Sequence, residues 1–243
     1  MNGTAPILKI KNLRKSFGDN DVLNGFTMEL FEGENLVIMG KSGSGKSVMI
    51  KCLVGLMLPD SGEITIMNND ILNLKRRELD SLRKEIGFLF QGSALYDSMT
   101  VRENLEFPLR KSKIKINDTE DLVLKALRSV GLEEAIDLMP EELSGGMKRR
   151  VALARAIILN PKIIIYDEPT TGLDPITAKE IIGLMKEIQL KQGSSSLIIT
   201  HDVDCARVIS NRMILLIDGV NYASGTFKEL SSSSDKKIQA FFK

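Results

Sequence analysis

The stretch NLVIMGKSGSGKSVMIKCLVGL, residues 35–56, constrains this chain more than any other. Leu36–Met39 is apolar without alternation, which reads as a strand covered on both faces. Directly after it, Gly40, Gly45, Lys46 and Ser47 satisfy G-x-x-x-x-G-K-[ST], and an apolar run with helical spacing follows. A strand, a glycine-rich turn and a helix in that order predict an α/β fold with a mostly parallel sheet. The glycines let the backbone curl so that successive N–H groups aim at phosphate oxygens, while the helix turns its positive end to the same anion. Gly40, Lys41, Ser42, Gly43, Ser44, Gly45, Lys46, Ser47 and Val48 are therefore the candidate phosphate cradle of a nucleotide site. Lys46 supplies a mobile cation for β and γ phosphates, and the Ser47 hydroxyl is a hard oxygen ligand for Mg²⁺.

Further short aliphatic runs fit the same architecture: Ile7–Leu13, Glu63–Met67, Ile86–Phe90, Ile163–Tyr166, Leu197–Thr200 and Met213–Ile217. Helical spacing lies between them. In TEDLVLKALRSVGL, Val123, Ala126, Leu127 and Val130 share one face, with Gly131 as a stop. From Gly92 to Arg150 no buried strand is evident, which predicts a helical insertion in the α/β core. The expected organisation is one domain over 1–230, with its core at 1–91 and 151–230, a helical subdomain at about 92–150, and a tail at 231–243.

A chain of 243 residues buries a large core. Its net charge of +1 carries no electrostatic footprint for nucleic acid. Cys52 and Cys205 sit in apolar contexts, which suits a reducing compartment rather than a disulfide framework. The apolar runs fall far short of the roughly 20 residues of a bilayer crossing. The start, MNGTAPILKIK, lacks the charged and apolar regions of a secretory signal.

A second strand, KIIIYDEP, ends in Asp167 and Glu168 before Pro169. An acidic pair at the mouth of a buried strand is costly unless a cation sits nearby. Asp167 suits a Mg²⁺ shell, and Glu168 can polarise a water for attack on the γ phosphate. The segment EELSGGMKRRVALARAI then opens a helix on Ser144, Gly145 and Gly146, a second helix N-terminus suited to an anion. His201, the one histidine, follows the apolar run Leu197–Thr200.

Taken together, these motifs resemble the ATP-binding cassette (ABC) ATPases, in family order over about residues 7–230. The signature LSGGQ is matched except for Met147. The resemblance implies a small antiparallel β part at the N-terminus beside the phosphate-loop core. It implies that Phe17 stacks on adenine, and that Gln91 senses Mg²⁺ and links the helical part to the core. Thr171-Gly172-Leu173-Asp174 is similar to the D-loop, which adds Asp174 to the nucleotide-site residues. His201 lands on the switch histidine, which contacts the γ phosphate and holds Glu168 and the water in place. The family geometry implies a head-to-tail homodimer in which Ser144–Gly146 of one copy cap the ATP and Mg²⁺ held by the other.

With one cassette and no apparent membrane span, the chain resembles a subunit whose integral membrane permease is separate and docks near Gln91. That would hold it, peripherally, on the cytoplasmic face of the inner membrane. GKSGSGKSVMIKCLVGL, FLFQGSALYDSMTVRENLEFPLR and ELSGGMKRRVALARAI look most like the ATPases of Mla/Mce-type phospholipid transport systems, which implies further lipid-transport subunits as partners. ATPases of lipoprotein release or small-solute uptake remain the alternative, since the core motifs serve all of them. Ile238, Phe241 and Phe242 form an apolar strip in the tail with two readings, a contact for a partner chain or a disordered or self-packed end. The basic clusters Lys75–Arg77 and Arg110–Lys115 read first as solvated faces and second as lipid headgroup contacts.

Overall fold

The computed structural model describes residues 5–112 and 119–242. The chain divides into two compact units, Met1–Arg83 with Ser195–Lys243, and Lys84–Ser194. The fold is the expected mixed α/β, with an antiparallel sheet and a mostly parallel one.

In the first unit, strand β3 (Asn35–Met39) is buried at all five positions. It runs parallel to β8 (Ser195–Thr200) and to β9 (Arg212–Ile217), so that Met39 faces Thr200 on one side and Leu215 on the other. Burial on both faces explains why these strands are continuous aliphatic runs, and each enclosed Val, Leu or Ile contributes about 1.5–3 kcal/mol. Strand β10 (Val220–Gly225) pairs antiparallel with β9. The start of β9 is fixed by a forked ion pair: Arg212 Nε donates to Glu34 Oε1 at 2.8 Å and Nη2 to Glu34 Oε2 at 3.1 Å.

The second sheet of this unit has the order β2-β1-β4-β5, formed by β1 (Leu8–Phe17), β2 (Asn20–Leu30), β4 (Ser61–Ile66) and β5 (Asn69–Asp70). Strand β2 is not visible as a periodic run in the sequence, for a structural reason. Its inward residues are Leu23, Phe26, Met28 and Leu30, which break the two-residue alternation. Leu13 pairs with Phe26 while the next residue, Arg14, pairs with Asn24, so Gly25 at φ +89° is an extra residue in the ladder. Such a bulge shifts the side-chain parity by one. The turn between β9 and β10 lies against β2: Asn24 N donates to Gly219 O at 2.9 Å, and a Cβ on Gly219 would sit 2.7 Å from Val22 O.

The tail packs on its own unit. Helix α9 (Lys236–Gln239) follows α8 (Phe227–Ser231), Ile238 is buried, and the Phe227 and Phe242 rings meet edge to face at 5.4 Å. Tyr222 of β10 donates its hydroxyl to Asp235 at 2.7 Å. In this chain the strip lies on its own unit, with Ile238 buried and Phe242 against Phe227 of α8. Ser231–Ser234 therefore carries a bonded turn, with Asp235 N on Ser233 Oγ at 3.2 Å.

In the second unit, β6 (Ile86–Leu89) and β7 (Ile163–Asp167) are parallel neighbours, with Leu89 facing Tyr166. Between them the described residues contain helices and turns and no strand. Helix α3 (Val101–Lys111) starts on a capping box formed by Thr100 and Glu103, and α4 (Thr119–Arg128) buries Val123, Ala126 and Leu127. Helix α5 (Gly145–Ile157) is the most enclosed, and α6 (Pro175–Gln192) ends on Gly193 at φ +65°. Lys75, Arg76 and Arg77 are exposed; of the second basic cluster, Lys113–Lys115 lie outside the described residues, as do Met1–Thr4 at the N-terminus. Among the described residues, no helix is long and apolar enough to cross a membrane.

Candidate nucleotide site

In the first unit the phosphate loop runs from the end of β3 into α1 (Lys46–Leu53). Its glycines answer to space. A Cβ on Gly40 would meet Ser44 Oγ at 2.4 Å and Leu216 O at 3.0 Å. Gly45, the residue before α1, has φ +100°, and a Cβ there would sit 2.8 Å from Val22 O. No side chain caps the N-terminus of α1 and no acid stands in its first turn, so the positive end of the helix is left to a ligand. Lys46 lies back along the loop, donating to Gly40 O at 2.6 Å and Lys41 O at 3.0 Å. Ser44 Oγ is buried without a hydrogen-bond partner. Glycines with no room for a side chain, an uncapped helix start and a lysine held over the loop fit a bound polyphosphate.

Ser47 and His201 are exposed and Val48 is half-buried. Because Met39 and Thr200 are register partners, Gly40 and His201 leave adjacent parallel strands at the same edge. Asp202, directly after His201, accepts from Asp204 N at 2.9 Å and Cys205 N at 3.1 Å and so starts α7 (Val203–Ile209). The histidine is thus held between a strand end and a helix cap. Phe17 ends β1, is 48% exposed, and has Lys15 Nζ 5.6 Å from its ring centroid. A cavity of about 600 Å³ opens beside the loop, with Lys41, Ser42, Gly43 and Val22 on one side and Lys236 and Phe241 of the tail on another.

The second unit holds the other candidates. Leu89 and Tyr166 are register partners, so Gln91 and Glu168 emerge two residues later from adjacent strands. Gln91 is exposed; Glu168 is 8% exposed. The Glu168 backbone takes φ +51°, a left-handed conformation costly for a residue with a side chain. Thr171 holds it there, donating Oγ1 to Glu168 Oε2 at 3.1 Å and its N–H to Glu168 O at 3.3 Å.

Ser144 caps α5 by accepting from Met147 N at 3.2 Å. Gly146 admits no side chain, because its Cβ would meet the Thr177 methyl at 2.7 Å. Thr177 is in turn fixed by Asp174, which accepts from Thr177 Oγ1 at 2.5 Å and from the N–H groups of Thr177 and Ile176 at 3.0 Å. Those bonds, led by the Thr177 hydroxyl, hold the Asp174 carboxyl below the usual range. The LSGGM turn and the Asp174 loop are therefore one packed assembly.

Two residues of α5 escaped the sequence reading. Arg149 is 4% exposed and donates to Phe90 O at 2.8 Å and Thr171 O at 3.1 Å. Arg155 donates to Ser93 O at 3.0 Å and to Asn104 Oδ1 at 3.3 Å. Burial lowers the pKa of both guanidiniums. A signal was there: Arg149 shares the stripe of Leu153, Ala156 and Ile157 at helical spacing, where a solvated charge does not belong.

Residues 23–171 match the family model described as ABC transporter. The chain is 38% identical to the intermembrane phospholipid transport system ATP-binding protein MlaF of Haemophilus influenzae, over 98% of this chain and 90% of that protein. It is also 38% identical to the methionine import ATP-binding protein MetN of Clostridium tetani, over 92% and 70% of the two chains. Its structure superposes on the dimeric post-hydrolysis state of the ATP-binding cassette MJ0796 bound to ADP and Pi with a TM-score of 0.82, at 35% identity, covering 91% and 99%. The chain belongs to the ABC transporter family. It is the ATP-binding, ATP-hydrolysing subunit of such a system, and its signature differs from LSGGQ at Met147.

Proposed function

We propose that this ATPase drives a phospholipid transporter, working as a homodimer beneath a separate permease on the cytoplasmic face of the inner membrane. The observation that carries the phospholipid reading is the likeness to MlaF, 38% identical across nearly the whole of both chains. In this reading Lys46 and the loop from Gly40 to Val48 hold the phosphates, and Phe17 stacks on adenine. Glu168 activates the attacking water and His201 orients it. Ser144, Gly145, Gly146 and Asp174 complete the site on the partner copy.

Mg²⁺ fits the donors available. No group of three His, Cys, Asp or Glu among the described residues could hold a metal alone. Mg²⁺ keeps several waters and is shared with substrate phosphates, so it needs only a few hard oxygens. Ser47, Gln91 and Asp167 supply them.

The permease docks near Gln91, where the exposed loop begins, and further lipid-transport subunits join the assembly. A second reading, small-solute import, rests on the likeness to MetN. Purifying the chain with its membrane partner and extracting the complex separates the two. Phospholipid at about one molecule or more per assembly, with no methionine binding, is expected. A lipid-free complex that binds methionine would replace the phospholipid reading with the other.

A further inference from the structure

Helix α5 carries Arg149, buried, and Arg155, half-buried, and each donates to a backbone carbonyl flanking Gln91. Arg149 takes Phe90 O, one residue before Gln91; Arg155 takes Ser93 O, two residues after it. The loop they grip is strained, with Ser93 at φ +61° and Ala94 at φ +48°. Arg149 has a second branch, which ends on Thr171 O. Thr171 is the residue whose hydroxyl and N–H hold Glu168 in its left-handed conformation.

One guanidinium thus joins the backbone in front of Gln91 to the turn behind Glu168. It is a costly choice. The fork of Arg149 is given to Phe90 O and Thr171 O, its Nε is buried without a partner, and burial alone accounts for its lowered pKa. An apolar side chain of similar length would serve a helix core better. The planar fork is what an apolar residue or a lysine lacks, since it reaches two carbonyls in fixed directions at once. Arg149 also lies five residues along α5 from its cap Ser144, so displacement of the signature turn moves it directly.

We propose that Arg149 is a positioning residue that sets Gln91 and Glu168 together, tying both to the signature helix. This rests on the roles given to those two residues above. Replacing Arg149 by Gln shortens the fork to a single amide, and replacing it by Lys keeps the charge and its donors but not the planar fork that fixes their directions. In both variants, binding of a fluorescent ATP analogue to the Lys46 loop should stay within about twofold of the parent. The rate constant kcat should fall at least tenfold, and the Mg²⁺ concentration for half-maximal turnover should rise. Arg149→Lys should recover only part of the loss.

Circular dichroism and thermal melting on the same samples exclude a folding defect, and kcat is referred to the fraction that binds nucleotide. A variant with parental kcat and parental Mg²⁺ dependence overturns the proposal, as does loss of binding in step with turnover. Glu168→Gln is measured alongside. If it also turns over normally, the role of Glu168 fails first; if it is inactive while Arg149→Gln is not, the positioning role alone fails.

Discussion

Gly45→Ala tests the phosphate loop with a single methyl group. Gly45 sits at φ +100°, ψ 2°, and the added Cβ would lie 2.8 Å from Val22 O and 3.1 Å from both Leu23 Cδ2 and Val22 Cγ1. The backbone conformation costs an L-residue about 1–2 kcal/mol. Forcing a methyl against a backbone carbonyl of the adjoining sheet costs about 1–3 kcal/mol more. The total, about 2–5 kcal/mol, lowers the melting temperature by roughly 4–20 °C for a chain of this size. Relief comes by moving the loop, which turns its N–H groups away from the phosphates. Two readings follow from one scan of thermal melting with and without ATP. The variant should melt lower, and saturating ATP should no longer raise its melting temperature as it does in the parent. Unchanged melting together with an undiminished ATP shift would refute the argument that space and backbone sign require glycine here.

Thr100→Ala removes the capping box of α3 and should cost about 0.5–2 kcal/mol in denaturant unfolding, with Thr100→Ser close to the parent; equal stability of Ala and parent would deny the cap its role. The tail should be held by a pH window. Asp235 is pulled below the usual carboxylate range, chiefly by the Tyr222 hydroxyl, so its contribution is present above that range and lost as pH falls through its lowered pKa. The Asp235 bond raises Tyr222, so its contribution is present below the usual value of about 10 and lost as pH rises through its raised pKa. Anisotropy of a probe on a cysteine replacing Lys243 should fall at both limits while circular dichroism stays constant, and Tyr222→Phe should lower it within the window. A flat profile would contradict this docking.

What could be read from the sequence was what burial makes unambiguous. Strands β3, β7, β8 and β9 are enclosed on both faces, so each appears as an apolar run, whereas β6 buries only alternate residues. Strand β10 is half-exposed and β2 carries the Gly25 bulge, so neither has a clean period. The glycine-rich turn between β3 and α1 was legible because its residue spacing is itself the motif. Arg149 was not, because a charged residue beside Lys148 and Arg150 reads as solvated until packing shows that only one of the three faces inward. The left-handed backbone of Glu168 was equally hidden, since Thr171 and Arg149 impose it from outside the acidic pair.

The central claim is that nucleotide completes its site only between two copies, with Ser144 of one facing the phosphates of the other. Light scattering on Glu168→Gln with saturating Mg²⁺ and ATP measures it most directly. The mass should double from 26.9 kDa. Adding Ser144→Arg should return it to the single-chain value while ATP affinity is retained. A Glu168→Gln protein that binds ATP and remains a monomer, or one whose dimer ignores the Ser144 substitution, would contradict the account.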